Sequence, residues 1–120
     1  MNHSSARPIL AITMGDPAGV GPEIVVKALS QSSVWEICRP LVVGDARMLR
    51  RAAAWVSADS SPAFEVVTDP ATARYDPGTI TLLDRANADP AQIAPGQLCA
   101  GAGAAAVDYV TTACDLALAG

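Results

Sequence analysis

Apolar residues along this chain fall into short runs separated by Gly, Pro, Asp and Ser clusters. Ile9–Met14 is a continuous apolar run of strand length and reads as a fully buried strand. Pro22–Leu29 carries apolar residues at helical spacing, with Ile24, Val25 and Ala28 on one face. Ser30–Ser33 is turn-like, and Leu41–Val43 is a second buried strand. Asp45 is placed to cap a helix over Ala46–Val56, with Met48, Leu49, Ala52 and Val56 turned inward. Ala58–Pro62 breaks that helix. Phe64–Val67 is a third strand, Asp69–Gly78 a loop with two Asp-Pro steps, and Thr79–Leu83 a fourth strand. Ala86–Gly96 is irregular. Ala100–Ala119 predicts a long helix, with Val107, Val110, Cys114 and Leu118 as one stripe.

The order β-α-β-α-β-β-α predicts an α/β layered fold. No crossover helix separates the third strand from the fourth, so the expectation is that those two are antiparallel if adjacent. Residues 1–8 are expected to form a disordered N-terminal tail ahead of one α/β unit over 9–120, with no internal repeat and no linker.

Composition narrows the class. Hydrophobic residues make up 51% of the 120 residues and charged residues only 17%, which suits strands buried on both faces. Aromatics are scarce at 4%, so the core must be aliphatic and alanine-based. The net charge of −4 and the lack of a basic stripe argue against a nucleic-acid partner. No run is a membrane span, since the longest candidate, Leu98–Leu118, is mostly Ala and Gly and carries Asp108 and Asp115. The start lacks the long apolar region of a signal peptide. Cys38, Cys99 and Cys114 form no C-x-x-C pair and read as buried, reduced thiols of a cytoplasmic protein.

The chemistry-bearing stretch is Ile9–Ile24, where a short strand runs through a glycine-rich turn into a helix start. Gly15, Gly19 and Gly21 permit positive φ and close backbone approach, Pro22 suits the first helical turn, and Glu23 favours the positive end of the helix dipole. The spacing is neither G-x-G-x-x-G nor a P-loop. The residues alone leave two readings open: a turn that holds a phosphate or dinucleotide, or a tight strand-to-helix turn with good caps. Asp16, Asp45, Asp69 and Asp84 each follow a strand closely. Four carboxylates on one sheet edge would suggest a metal site, but Asp also caps helices and starts turns, and that reading is preferred for the last three. The single histidine, His3, lies in the tail, so no Ser/His/Asp or Cys/His arrangement exists.

The wording Ile12-Thr13-Met14-Gly15-Asp16-Pro17-Ala18-Gly19-Val20-Gly21-Pro22-Glu23-Ile24 closely resembles the opening of the 4-hydroxythreonine-4-phosphate dehydrogenase family. It also resembles a longer version of the turn that opens isocitrate and isopropylmalate dehydrogenases, which share that family's fold. Leu41–Leu49 resembles the family's second strand and helix, and Pro95-Gly96-Gln97 through Tyr109 its small-residue helix. The resemblance covers Pro8 to Gly120. It implies a three-layer α/β/α fold of the isocitrate/isopropylmalate dehydrogenase kind, of which this chain is the incomplete N-terminal portion of the first of two domains.

The family's enzymes are oxidoreductases acting on CH–OH that use NAD or NADP with a divalent metal such as Zn, Mg or Co. They oxidise a small 4-phosphorylated hydroxy acid, and the β-keto acid formed loses carbon dioxide. The metal acts as Lewis acid and the nicotinamide accepts hydride. Substrates implied are 4-phosphohydroxythreonine, of pyridoxine biosynthesis, or threonate or erythronate 4-phosphate. A homodimer is implied as well. The family's metal-binding histidines and substrate-binding His-Thr, Lys, Asn and Arg lie beyond the matched region, so no catalytic or metal residue is carried over and the 120 residues alone are expected to be inactive. Gly15, Asp16, Gly19 and Gly21 are the candidate cofactor-binding residues. Three alternatives stay open: a terephthalate cis-dihydrodiol dehydrogenase-like member, a phosphate acyltransferase of similar fold, and a non-catalytic folding or dimerisation module.

Overall fold

A computed structural model describes residues 7–56, 62–97 and 99–119. The elements run β1 (Ile9–Thr13), α1 (Gly21–Ala28), α2 (Val34–Ile37), β2 (Arg39–Gly44), α3 (Ala46–Val56), β3 (Ala63–Val67), β4 (Thr79–Asp84) and α4 (Ala100–Ala119), with a 3-10 turn at Pro70–Thr72 before β4. The strands form one sheet in the order β1-β2-β4-β3, and all three pairings are parallel. Ile12, Val42 and Leu82 stand in register across β1, β2 and β4, and Phe64 stands beside Ile80 on the same face. α3 covers that face: its Arg50 guanidinium lies 5.3 Å from the Phe64 ring centroid, and α1 packs beside α3. α4 crosses β1 and β2 over the opposite face, where its Ala113 and Leu116 approach Ala11 and Leu41. The result is the three-layer α/β/α arrangement expected.

Parallel strands buried on both faces need continuous apolar runs. β2 meets that demand, with Leu41, Val42 and Val43 all buried. β1 does not reach the burial expected of it: Ile9 and Leu10 are exposed and Ala11–Thr13 half-buried, because β1 is one of the two edge strands of the described sheet. α3 matches its expected bounds, with Met48, Leu49 and Ala52 buried and Val56 partly so. α1 is rotated from expectation. Val25, Val26 and Leu29 are buried, while Ile24 and Ala28 face outward. The short α2 was not anticipated; four residues give too little periodicity to read.

The expectation of antiparallel β3 and β4 is overturned, since they are adjacent and parallel. Residues 68–78 make the crossover without an α-helix. The Glu65 carboxylate accepts from the Arg74 and Tyr75 amides at 3.0 and 3.4 Å and from the Thr81 hydroxyl at 3.1 Å. Tyr75, buried at φ 54°, donates its hydroxyl to the Pro70 carbonyl at 2.8 Å. One carboxylate from the sheet thus pins the returning loop onto its face and does the work of the missing helix.

The stripe Val107, Val110, Cys114 and Leu118 of α4 points to solvent, and the buried side is Ala102, Ala105 and Tyr109. Small residues face the sheet because they let the helix approach closely. Arg7 and Pro8, expected in the tail, are tied to β2: the Pro8 carbonyl accepts from the Arg39 amide at 2.7 Å and the Arg7 carbonyl from Arg39 Nε at 2.9 Å. Residues 1–6, and residues 58–61 of the expected helix breaker, lie outside the described residues. None of the described helices is long and apolar enough to cross a membrane.

Candidate ligand-facing turn at the carboxyl edge of the sheet

Residues 14–22 carry the chain from the end of β1 into α1. Met14, Pro17, Ala18 and Pro22 are buried, while Asp16, Gly19 and Val20 are exposed. The turn is therefore anchored from beneath and open above. Gly15 has φ +79°, a backbone region that favours glycine. Gly21 is needed for a different reason, since a β-carbon there would stand 2.2 Å from the Met14 carbonyl oxygen. Gly19 has neither a positive φ nor a tight contact, so the conformational freedom expected of it is not used. Asp16 organises the loop from within: Oδ1 accepts the Ala18 amide at 2.8 Å and its carbonyl the Gly19 amide at 2.9 Å.

The start of α1 departs from the capped helix expected. Val20 is the N-cap and makes no side-chain cap bond, although Pro22 and Glu23 do occupy the first turn. Among the described residues, the amides of Gly15, Val20 and Gly21 have no acceptor. They remain available at the positive end of α1. All four strands run the same way, so this turn lies on the edge where α/β sheets receive ligands.

The structure brings Gly15 and Gly21 together, and sets Asp16 and Gly19 on the rim of a recess of about 170 Å³. Its opposite wall is Gly96 and Gln97. Those two residues stood in a recognisable sequence motif, but nothing in their spacing placed them opposite the glycine-rich turn. A larger apolar groove of about 820 Å³ lies elsewhere, between β1, the Asp69–Ala71 turn and the C-terminal half of α4.

The other strand-end carboxylates are structural. Asp45 is fully buried; Oδ1 accepts the Arg47 and Met48 amides at 2.8 and 3.3 Å, and Oδ2 accepts the Ala88 amide at 3.0 Å. Asp84 Oδ1 accepts the Ala46 and Ala86 amides, and Asp69 Oδ1 the Ala71 amide. Their lone pairs hold loops in place. Among the described residues no group of three or more His, Cys, Asp and Glu could hold a metal ion. Of the cysteines expected to be buried, Cys38 is buried, Cys99 half-buried and Cys114 exposed.

The loop after β4 is fastened to α4. Arg85 pairs with Asp108 at 2.9 Å, Asn87 Nδ2 donates to Asp108 at 3.0 Å, and the Tyr109 hydroxyl donates to Asn87 Oδ1 at 2.9 Å. Burial, reinforced by the charge of Asp45, pushes the Tyr109 phenol well above its ordinary pKa and keeps it a neutral donor. The Arg85 hydrogen bond holds the Asp108 carboxyl below its ordinary value.

No family model matches the chain. Over 114 residues it is 41% identical to 4-hydroxythreonine-4-phosphate dehydrogenase of Desulforapulum autotrophicum and 42% identical to that of Desulfosudis oleivorans, in each case covering 95% of this chain and 33% of the relative. The crystal structure of a 4-hydroxythreonine-4-phosphate dehydrogenase from Burkholderia phymatum superposes with a TM-score of 0.87 at 44% identity, over 94% of this chain and 33% of that one. A 4-hydroxythreonine-4-phosphate dehydrogenase from Klebsiella pneumoniae gives a TM-score of 0.82 at 38% identity. The chain spans about one third of the length of the curated relatives it matches. By sequence and by fold, it belongs to the 4-hydroxythreonine-4-phosphate dehydrogenase family.

Proposed function

We propose that this chain contributes the cofactor-facing turn of an NAD- or NADP-dependent dehydrogenase that oxidises, with decarboxylation, a small 4-phosphorylated hydroxy acid such as 4-phosphohydroxythreonine. The observation that carries the reading is the turn itself, open at the carboxyl edge of a parallel sheet, with no acceptor among the described residues for the amides of Gly15, Val20 and Gly21. The names of the relatives support the substrate class.

The recess fits part of a nicotinamide nucleotide. The amides of Gly15 and Gly21, which have no acceptor among the described residues, lie in the same turn beside the recess rather than in its lining, and can donate to a carbonyl oxygen of a ligand that extends past it. Asp16 keeps Oδ2 unengaged and exposed, ready to accept from a hydroxyl or a carboxamide N–H. A bare anion would meet that carboxylate, so a group that both donates and accepts is favoured. When bound, the cofactor supplies the hydride acceptor. What these residues do is bind and orient it. The described residues do not fit a divalent metal, because no three of their His, Cys, Asp and Glu side chains come together.

The test is an assay of the protein expressed from its whole gene, with 4-phosphohydroxythreonine or threonate 4-phosphate, NAD+ or NADP+, and Zn2+, Mg2+ or Co2+. Metal-dependent reduction of the nicotinamide is expected. Its absence with every pair, or metal-independent acyl transfer instead, would overturn the reading.

A further inference from the structure

The glycine-rich turn does not form its recess alone. The facing wall, Gly96–Gln97, belongs to an irregular loop following β4, which has no secondary structure to fix it. Beyond the bonds that fasten Arg85–Ala88, two connections hold its Ile93–Gln97 end against the turn. The Gly96 amide donates to the Ala18 carbonyl at 2.7 Å, within the turn. Arg51 of α3 reaches between both walls: Nη1 donates to the Ile93 carbonyl at 2.9 Å, and Nη2 lies 3.5 Å from the Pro17 carbonyl. Its guanidinium also stacks over the Trp55 ring, 5.0 Å from the centroid.

We infer that Arg51 is a positioning residue for the ligand-facing turn, holding the Gly96–Gln97 wall against the Asp16–Gly19 wall so that the recess is formed before a ligand arrives. The inference rests on the reading of that turn as cofactor-facing. The guanidinium suits the task because its donors spread in a fixed plane and can engage two carbonyls from different segments at once. A lysine ammonium, a compact point charge on a flexible stem, could reach one carbonyl but would not span both. Trp55 fixes the tilt of that plane through the attraction of a cation to a ring face. Pro17 stands between the lining residues Asp16 and Ala18, and Ile93 three residues before Gly96, so loss of Arg51 would loosen one wall without removing any residue of the lining. Walls held in advance spare a ligand the cost of ordering them.

The experiment compares wild type, Arg51→Met and Arg51→Lys in the protein expressed from its whole gene. Hydrogen exchange of the Gly96 amide is followed by NMR, with the Val42 and Leu82 amides as internal controls, and KM for NAD+ is measured beside kcat. In Arg51→Met the Gly96 amide should exchange about tenfold faster while Val42 and Leu82 hold their rates, as expected for loss of hydrogen bonds from a charged donor. KM for NAD+ should rise about tenfold, with a smaller fall in kcat, and Arg51→Lys should lie between. Unchanged Gly96 exchange, or acceleration of all three amides together, overturns the positioning role. Faster Gly96 exchange with unchanged KM overturns its link to the ligand. A wild type without dehydrogenase activity defeats the functional reading, while the Gly96 exchange still decides whether Arg51 holds the wall.

Discussion

Gly21 passes so close to Met14 that any β-carbon on it would stand 2.2 Å from the Met14 carbonyl oxygen. The approach places the first turn of α1 directly against the end of β1. Gly21→Ala must therefore move backbone rather than a side chain, and should cost about 2–3 kcal/mol. Gly19→Ala meets nothing nearer than 3.4 Å and should cost under about 1 kcal/mol. Urea unfolding midpoints of the two variants, measured side by side, check the contrast. Equal losses would mean that the turn is not seated as described.

Asp45 carries the second prediction. Its buried carboxylate satisfies three backbone amides, one of them at Ala88, in the loop after β4. Asp45→Ala should destabilise the protein by about 2–4 kcal/mol, since it removes a helix cap and leaves a buried amide unpaired. Asp45→Asn should recover only part of that loss. Its Oδ1 can still cap α3, but Nδ2 would then face the Ala88 N–H, donor against donor. Full recovery by Asn would show that the Ala88 bond contributes little.

The attachment of α4 should respond to acid. Asp108 titrates below its ordinary value, chiefly through its hydrogen bond from Arg85. A carboxyl lowered in the folded state gives stability that is present above its unfolded pKa of 3.8 and lost as pH falls through the folded value. The pair is partly exposed, so the effect is small. Protection factors of α4 amides, which take out the acid slowing of intrinsic exchange, should fall on acidification below about pH 4 in wild type. Asp108→Asn should lack that part of the pH dependence; an unchanged profile in the variant would exclude the pair as its source.

Val107, Val110 and Leu118 expose 66%, 53% and 87% of their surface along α4. An apolar stripe of this kind favours association. The 120-residue chain should self-associate with rising concentration in sedimentation equilibrium, and Val110→Lys with Leu118→Lys should reduce it. A monomer at every concentration, unaltered by the lysines, would contradict this.

The sequence was legible where one element determined its own fate. The capped run Asp45–Val56 carried both its boundary and its inward face, because the cap and the 3.6-residue period agree. The direction of β3 against β4 was not legible: the device that permits a parallel return is a long-range set of bonds from Glu65 to the 74–75 backbone and Thr81. The α4 stripe misled for another reason. The larger residues that look like a core face point outward, while alanines face the sheet. At the candidate site, Gly15 and Gly21 were visible as a strand-to-helix turn. Gly96, Gln97 and Arg51 were not, since only folding brings them to it.

Where a nicotinamide nucleotide touches the chain is the most direct test of the cofactor-facing turn. Amide shifts of the protein expressed from its whole gene, followed by NMR during titration with NAD+, decide it. The account predicts the largest changes at Gly15, Asp16, Gly19, Gly21 and Gly96, around the recess at the carboxyl edge. Changes confined to Ile9–Ala11 and Ala113–Ala117, along the larger apolar groove, with the glycine-rich turn unmoved, would contradict it.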